Sequence, residues 1–489
     1  IVGNPPFMGG QKITGALGTD YRDFIVKWIA DGKRGSADIC AYFFLRAKNL
    51  LDINGGFGLI ATNTIAQGDT REVGLDQLVA DKCVIPRAVP SRKWEGSANL
   101  EVAHVWLRQG DWQGKFYLDE KLVNGITPFL TVPGKAVGKP DKLVANQGKS
   151  FLGSKVYGQG FVLQTEEAQT LIEKDGKNQD VLFPYLNGED LNSRPDQSPS
   201  RWVINFKDYP LDAEHDDPKK PKGKPYAADY PDCLKIVEEK VKPERDKNNR
   251  KERRERWWHY GEKCPALYDA IANLKRVLVR SRVSNINSIA FVPTDIVMSE
   301  ATVVFVFDDY ASFVILQAMA HTEWLNHHSS SMRTDVRYTP TDCFETFPFP
   351  ELTTNLETIG EKYYNHRQNI MLARQEGLTK TYNRFHNPEE TATDIQQLRE
   401  LHVEMDNAVA AAYGWSNLDL EHGFHDTKQG LRYTISETAR REVLDRLLQL
   451  NQERYKEEEA QGLHDKKKGK GKRKAEVKSD DGNGQLSLF

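Results

Sequence analysis

The sequence predicts an α/β fold at its amino-terminal end, followed by a mixed α+β region and a helical C-terminal region. Three observations predict it. Residues 1–62 read as strand, loop, helix, Gly-Gly turn, strand, which is a βαβ unit. Residues 176–350 mix short strand-like runs with loops. Leu356–Arg374 and Ile395–Ala412 carry apolar residues at helical spacing.

Ile1-Val2 reads as the end of a buried strand, and Gly3 breaks it. Asn4-Pro5-Pro6-Phe7 follows as a stiff loop. Both prolines fix φ and lack an N–H, and Pro5 holds Asn4 extended. Met8–Gly18 reads as a Gly-rich loop, and Ala37–Leu51 as a helix with Ile39, Phe43, Leu45, Leu50 and Leu51 apolar. Asn54-Gly55-Gly56 is a turn, and Phe57–Thr62 a short buried strand. Cys83–Val89 is a further strand. The run Arg92-Lys93-Trp94-Glu95-Gly96-Ser97-Ala98-Asn99 precedes an alternating strand, Val102–Leu107, and Trp112, Phe116 and Tyr117 mark another. Four regions result: 1–120, 121–350 (entered through the turn-rich stretch 121–175), 351–460, and a tail, 461–489. Tyr413-Gly414-Trp415 ends one helix and Ser436-Glu437 starts the last.

The chemistry lies in the first loop. The Asn4 carboxamide oxygen and the Pro5 carbonyl are two acceptors that can grip an exocyclic amine. Phe7 offers a flat face for a base. This loop resembles the [Asn/Asp/Ser]-Pro-Pro-[Tyr/Phe/Trp] signature of S-adenosylmethionine-dependent DNA amino-methyltransferases, in the form typical of gamma-type N6-adenine enzymes. The resemblance implies a Rossmann-like methyltransferase half-sheet over residues 1–120. It implies S-adenosyl-L-methionine as cofactor, double-stranded DNA as partner and a flipped-out adenine as target. It makes Asn4, Pro5, Pro6 and Phe7 catalytic. Trp94 either packs the other face of the base or caps a sheet edge. The family's Gly-rich loop for the methionine part and its acidic residue for the ribose have no convincing counterpart. The chain is therefore expected to be a C-terminal portion of a longer protein or one half of a split enzyme. Its partner would be an upstream methyltransferase half, in the same or another chain.

Phe183–Leu191, Arg201–Phe206, Arg253–Trp258, Phe305–Tyr310, Ser331–Pro340 and Phe344–Pro350 together resemble the target-recognition domain of type IIG restriction–modification enzymes and related phage-defence methylases of DISARM- or BREX-like systems. Other subunits of such a system are then possible partners. Two basic patches fall in this region. Lys219–Lys224 is a Pro/Gly-broken loop. Lys240–Arg256 carries nine Lys/Arg against four acids, among them Lys240, Arg250, Arg253, Arg254 and Arg256. It reads as a phosphate-binding surface or as a solvated helix with pairs such as Glu252 with Arg256. Arg280, Arg282, Arg333 and Arg337 flank strand-like runs and are candidates for guanine contacts. Two other readings remain: a specificity subunit without its own activity, and part of a fused restriction endonuclease, although no Pro-Asp…Glu-x-Lys nuclease core is recognisable.

The whole chain of 489 residues has net charge −3, so affinity for DNA must come from local patches. Five scattered cysteines form no C-x-x-C pair, which argues against a structural zinc or a disulfide framework. His327-His328 read as surface residues, and no metal is expected. No apolar run approaches the roughly 20 residues of a membrane helix, and no leader is recognisable, so a cytoplasmic location is expected and no membrane partner. Lys466–Lys474 and Ser479–Gly484 have the composition of disordered chain. Gln485-Leu486-Ser487-Leu488-Phe489 resembles the peptide that docks on the bacterial sliding clamp, which would make Gln485, Leu486, Leu488 and Phe489 clamp-binding. A chance apolar terminus is the alternative.

Overall fold

A computed structural model describes residues 1–33, 35–94, 101–133, 139–216, 223, 225–332, 335–427 and 429–464, with the side chains of 330–332 and 335 excepted. The α/β part begins with β1 (Val2–Gly3), α1 (Gly10–Leu17), α2 (Thr19–Phe24) and a π-helical turn, Ile25–Ile29. It continues through α3 (Ile39–Lys48), β2 (Gly56–Thr62), α4 (Gly68–Val73), α5 (Leu75–Ala80), β3 (Cys83–Lys93), β4 (Glu101–Gln109), β5 (Phe116–Leu118) and β6 (Lys121–Val123). The strands form one sheet in the order β1-β2-β4-β3-β5-β6.

β1 pairs in parallel with β2, Val2 opposite Gly58. β4 runs antiparallel between β2 and β3. Hence β1, β2 and β3 point the same way, and their carboxyl ends lie on one edge of the sheet. β2 is buried on both faces through Phe57, Gly58, Leu59 and Ala61, the pattern of a sheet covered by helices. The Phe44 ring of α3 meets Phe57 edge-on at 5.8 Å. The helix α3 and the strands β2, β3, β4 and β5 stand where the sequence reading places them, whereas α4 and α5 were not read from it. Residues 8–18 differ: α1 stands where a loop was expected. Ile13 is 2% exposed and anchors α1 in the core, so one buried side chain outweighs four nearby glycines.

Two four-stranded sheets follow. One orders Val297–Met298, Leu182–Leu186, Arg201–Ile204 and Val162–Gln164; the other Ala290–Pro293, Arg276–Ser281, Thr302–Phe305 and Ser150–Leu152. One hydrophobic core joins the second sheet, through Leu278, Val303 and Phe305, to the helices Tyr310–Gln317, Thr354–Arg374, Thr393–Ala412 and Glu437–Ala460. The last helix also ties down the chain near residue 141. Fully buried Asn451 accepts from the Asp141 N–H and donates to the carbonyls of Asp141 and Thr346.

His327 and His328 are half-buried, not surface residues. Both face Phe129, at 4.9 and 6.2 Å, and His328 packs on Trp324 at 4.2 Å. The Arg71 guanidinium covers Phe129 at 3.8 Å. This stack joins the α/β part to the helix Met319–His328. Burial, then the His327 charge, push the His328 imidazole well below its ordinary range. No group of three metal-ligating side chains occurs among the described residues, and none of their helices is long and apolar enough to cross a membrane.

Candidate active site and nucleic-acid interface

The loop after β1 leaves the sheet at its carboxyl edge, where open α/β sheets bind their ligands. Gly3 is the last paired residue, opposite Leu59. A Cβ on it would lie 3.3 Å from the Leu59 side chain. Pro5 is buried, Asn4 and Pro6 are exposed, and Phe7 is half-buried against the α/β core. The Asn4 carboxamide makes no hydrogen bond to the described residues. A free amide is thus presented on a backbone that two prolines hold fixed.

The ends of β2 and β3 share this edge. After β2, Thr62 and Thr64 join hydroxyls at 2.6 Å, and the Asn63 amide donates to Glu101 at 3.2 Å. Glu101 also accepts from Ser91 of β3 at 2.5 Å. Trp94 follows β3 on the same edge and is half-buried. Residues 95–100, the rest of its motif, lie outside the described residues. Sequence reasoning missed Glu101, which ties β3 to the segment after β2, and Asp38, which caps α3. The second had a signal: an Asp immediately before the apolar run of a helix.

β1 is the end strand of the sheet, and the α/β part exposes several large apolar side chains. Val2 is 90% exposed, Trp28 68% and Ile53 87%, with Ile1, Phe24 and Leu50 also exposed.

The basic stretch is not one helix. It comprises Pro231–Lys240, Lys242–Asp246 and Lys251–Glu255, broken at Val241, two residues before Pro243, and around Asn248-Asn249. Its i,i+4 pairs are Lys235 with Glu239 at 3.9 Å, Glu238 with Lys242 at 2.8 Å and Lys251 with Glu255 at 3.5 Å, and no Glu252–Arg256 ion pair forms among the described residues. Lys240, Arg250 and Arg256 are exposed. Arg253 is half-buried over the Tyr157 ring at 4.4 Å, and Arg254 donates to the Asn248 carbonyl at 2.5 Å. Arg245 is buried and donates to the carbonyls of Val156 and His259.

The second arginine group divides. Arg280 is 1% exposed, with its guanidinium 4.7 Å from the Tyr338 ring. It cannot reach a base, because the strand Arg276–Ser281 is covered along almost its whole length. Arg337 is exposed and Arg282 half-buried. The pairing of Val283 with Arg337 brings these two arginines together. Burial first, and then the Arg337 charge, hold the Arg282 guanidinium below its ordinary range. Two adjacent cations favour an anion between them. Arg333, the Lys219–Lys224 loop except Gly223, and the 465–489 tail with Gln485, Leu486, Leu488 and Phe489 lie outside the described residues.

Family models of the MmeI DNA-methyltransferase domain and the MmeI target recognition domain match residues 1–108 and 227–351. Two segments of the chain are thus similar to an MmeI-type DNA-methyltransferase domain and an MmeI-type target recognition domain. DNA methyltransferase A of Bacillus subtilis (strain 168) is 24% identical over 429 residues, which cover 84% of this chain and 45% of that protein. The type IIL restriction-modification enzyme MmeI, solved in complex with DNA, superposes with a TM-score of 0.69 at 17% identity, over 93% of this chain and 57% of that one. The chain therefore spans about half the length of these two proteins and shares the fold of the solved one. The first matched segment contains the Asn-Pro-Pro-Phe loop, β1–β3 and β4 up to Arg108. The second contains Lys240, the arginines of the basic stretch, and Arg280, Arg282, Arg333 and Arg337.

Proposed function

We propose that this chain supplies the acceptor side of a site-specific DNA adenine-N6 methyltransferase acting in restriction–modification or phage defence. The observation that carries the reading is the free Asn4 carboxamide, exposed beside buried Pro5 at the carboxyl edge of a methyltransferase-type sheet. The target adenine is flipped out of the stack, at a cost of a few kcal/mol. The Asn4 oxygen and the Pro5 carbonyl accept its two amine hydrogens, which directs the nitrogen lone pair away from the loop. Phe7 stacks on the base, and Trp94 faces it from the end of β3. No side chain acts as a general base. The loop contributes by positioning and electrostatics.

S-adenosyl-L-methionine supplies an electrophilic methyl group. The residues of this chain do not by themselves fit that cofactor. The segments after β1, β2 and β3 have no Gly-x-Gly turn following a parallel strand. The donor side is assigned to an upstream methyltransferase half, which would pair with the open edge of β1 and cover Val2, Trp28 and Ile53. Residues 1–489 alone should accordingly bind S-adenosylmethionine only weakly. Calorimetric titration checks this, and micromolar affinity would show that the donor site lies within the chain. A specificity module without activity is the second reading, favoured by that same lack of a donor loop. It requires that adding the upstream half restores no methylation.

Target recognition is assigned to the second domain. Arg282 and Arg337 are the candidates for base contacts, and Lys240, Arg250 and Arg256 for phosphates. Replacing these last three with Ala should weaken binding to all sequences alike and reduce the log–log salt slope by about one unit per lost contact. A binding isotherm series in salt reads this, and a loss confined to the cognate sequence would place these side chains at bases instead. The tail is proposed to recruit the enzyme to the sliding clamp through Gln485, Leu486, Leu488 and Phe489.

A further inference from the structure

The residue after the catalytic aromatic is held at both its backbone groups. Met8 donates its N–H to Asp38 Oδ1 at 3.2 Å. Ile39 donates its N–H to the Met8 carbonyl at 2.9 Å. Asp38 is 7% exposed, and its own N–H donates to Thr70 Oγ1 at 3.0 Å. The same Oδ1 accepts the Cys40 N–H at 3.0 Å and so caps α3. That one bond suffices for a helix cap. The bond to Met8 is additional, and it reaches 30 residues back to the loop. Two residues beyond Met8, Gly10 packs directly on the 36–37 backbone, where a Cβ would lie 2.3 Å from the Ser36 carbonyl carbon. The Ser36 N–H in turn donates to Asp69 of α4 at 2.6 Å. A continuous set of contacts therefore runs from α4 through residues 36–39 to the end of the Asn-Pro-Pro-Phe loop.

We propose that Asp38 is a positioning residue for methyl transfer: through the Met8 N–H it fixes the direction in which Asn4 and the Pro5 carbonyl face. This rests on the reading of the loop given above. Pro5 and Pro6 stiffen the loop internally, but a stiff loop can still swing about its ends. β1 fixes the first end through its pairing with β2. Asp38 and Ile39 fix the second.

The test uses the full-length enzyme, with three substitutions at this position. Asp38→Asn keeps an oxygen acceptor at the same distance. Asp38→Ser keeps a helix cap but is one bond too short for Met8. Asp38→Ala loses both. The expected result is a kcat lowered about 10- to 100-fold in the Ser and Ala variants, as for a small misplacement of reacting groups, with KM and Kd for DNA unchanged within about threefold. Asp38→Asn should restore most of the lost kcat. The melting temperature of the Ser variant should equal that of the wild type, which separates positioning from folding. A wild-type kcat in Asp38→Ser, or a fall in kcat that only tracks the folded fraction, overturns the proposal. Asn4→Ala is assayed alongside. If it is fully active, the reading of the loop itself fails, and this inference fails with it. If it is inactive while Asp38→Ser is normal, the Asp38 inference alone is wrong.

Discussion

Asn4→Ala is expected to lower methyl transfer by about 10²–10³-fold, the loss typical of removing one preorganised hydrogen-bonding group from a catalytic site. Affinity for target DNA should stay within a few fold, because Asn4 contacts no phosphate in the proposed mode. The prediction rests on two features of the residue. It is exposed, so truncation leaves no cavity in the core. Its carboxamide has no hydrogen bond within the described chain, so truncation strands no partner. An effect on activity therefore cannot be attributed to lost stability, and the melting temperature should not move. Asn4→Asp keeps an acceptor and should retain more activity than the Ala variant. The measurement is single-turnover methylation of a cognate duplex by the enzyme with its upstream half present, set against a binding isotherm on the same duplex. Transfer at near wild-type rates in the Ala variant would remove Asn4 from the mechanism.

The strand exit at Asn-Pro-Pro-Phe and the strand that pairs with it were legible in the sequence because their signals are local. Two adjacent prolines after a β-branched pair define a rigid exit from a strand, and Gly55-Gly56 before an apolar run defines the entry to the next. These features survive without knowledge of tertiary contacts. Residues 8–18 lacked such a signal. Gly9, Gly10, Gly15 and Gly18 argue against a helix, yet Gly10 is required by the close approach of the 36–37 backbone and Ile13 by the core. Both causes are long-range. The arginines show the same limit. Arg280 and Arg282 are two residues apart and look equivalent in sequence. Arg280 lies inside the covered part of a strand beside Tyr338, whereas Arg282 lies one step past its end, where the cover stops. Nothing in the local composition encodes where that cover ends. Asp38 was readable as a cap, but its second bond depends on which loop folds back upon it.

The largest effect on stability is expected at Arg367, which is fully buried in the helix Thr354–Arg374. Its guanidinium donates to Gln317 Oε1 at 3.1 Å, to the Tyr382 hydroxyl at 3.2 Å and to the Ile289 carbonyl at 2.5 Å. The rings of Phe313 and Tyr364 each lie 5.2 Å from it. Gln317 and Tyr382 would keep other partners after truncation, since Gln317 also accepts from the Ile289 N–H and Tyr382 pairs with Tyr363. The Ile289 carbonyl would lose its arginine donor, and a cavity the size of the side chain would open between aromatic rings. Arg367→Ala should therefore cost about 3–5 kcal/mol, from an under-satisfied buried acceptor and a cavity together. Arg367→Lys should recover only part of this, because a single ammonium cannot reproduce the planar fork that reaches Gln317 and Ile289 at once. The arginine joins a helix of the C-terminal region to Ile289, which immediately precedes a recognition-domain strand. The loss should therefore appear as one cooperative shift that includes the target recognition domain, and binding of DNA should fall in proportion to the folded fraction. Urea unfolding followed by tryptophan fluorescence, with Trp324 in the same core, reads the shift in midpoint. A loss below about 1 kcal/mol would mean that the site collapses or hydrates without penalty, and that Arg367 does not hold the two regions together.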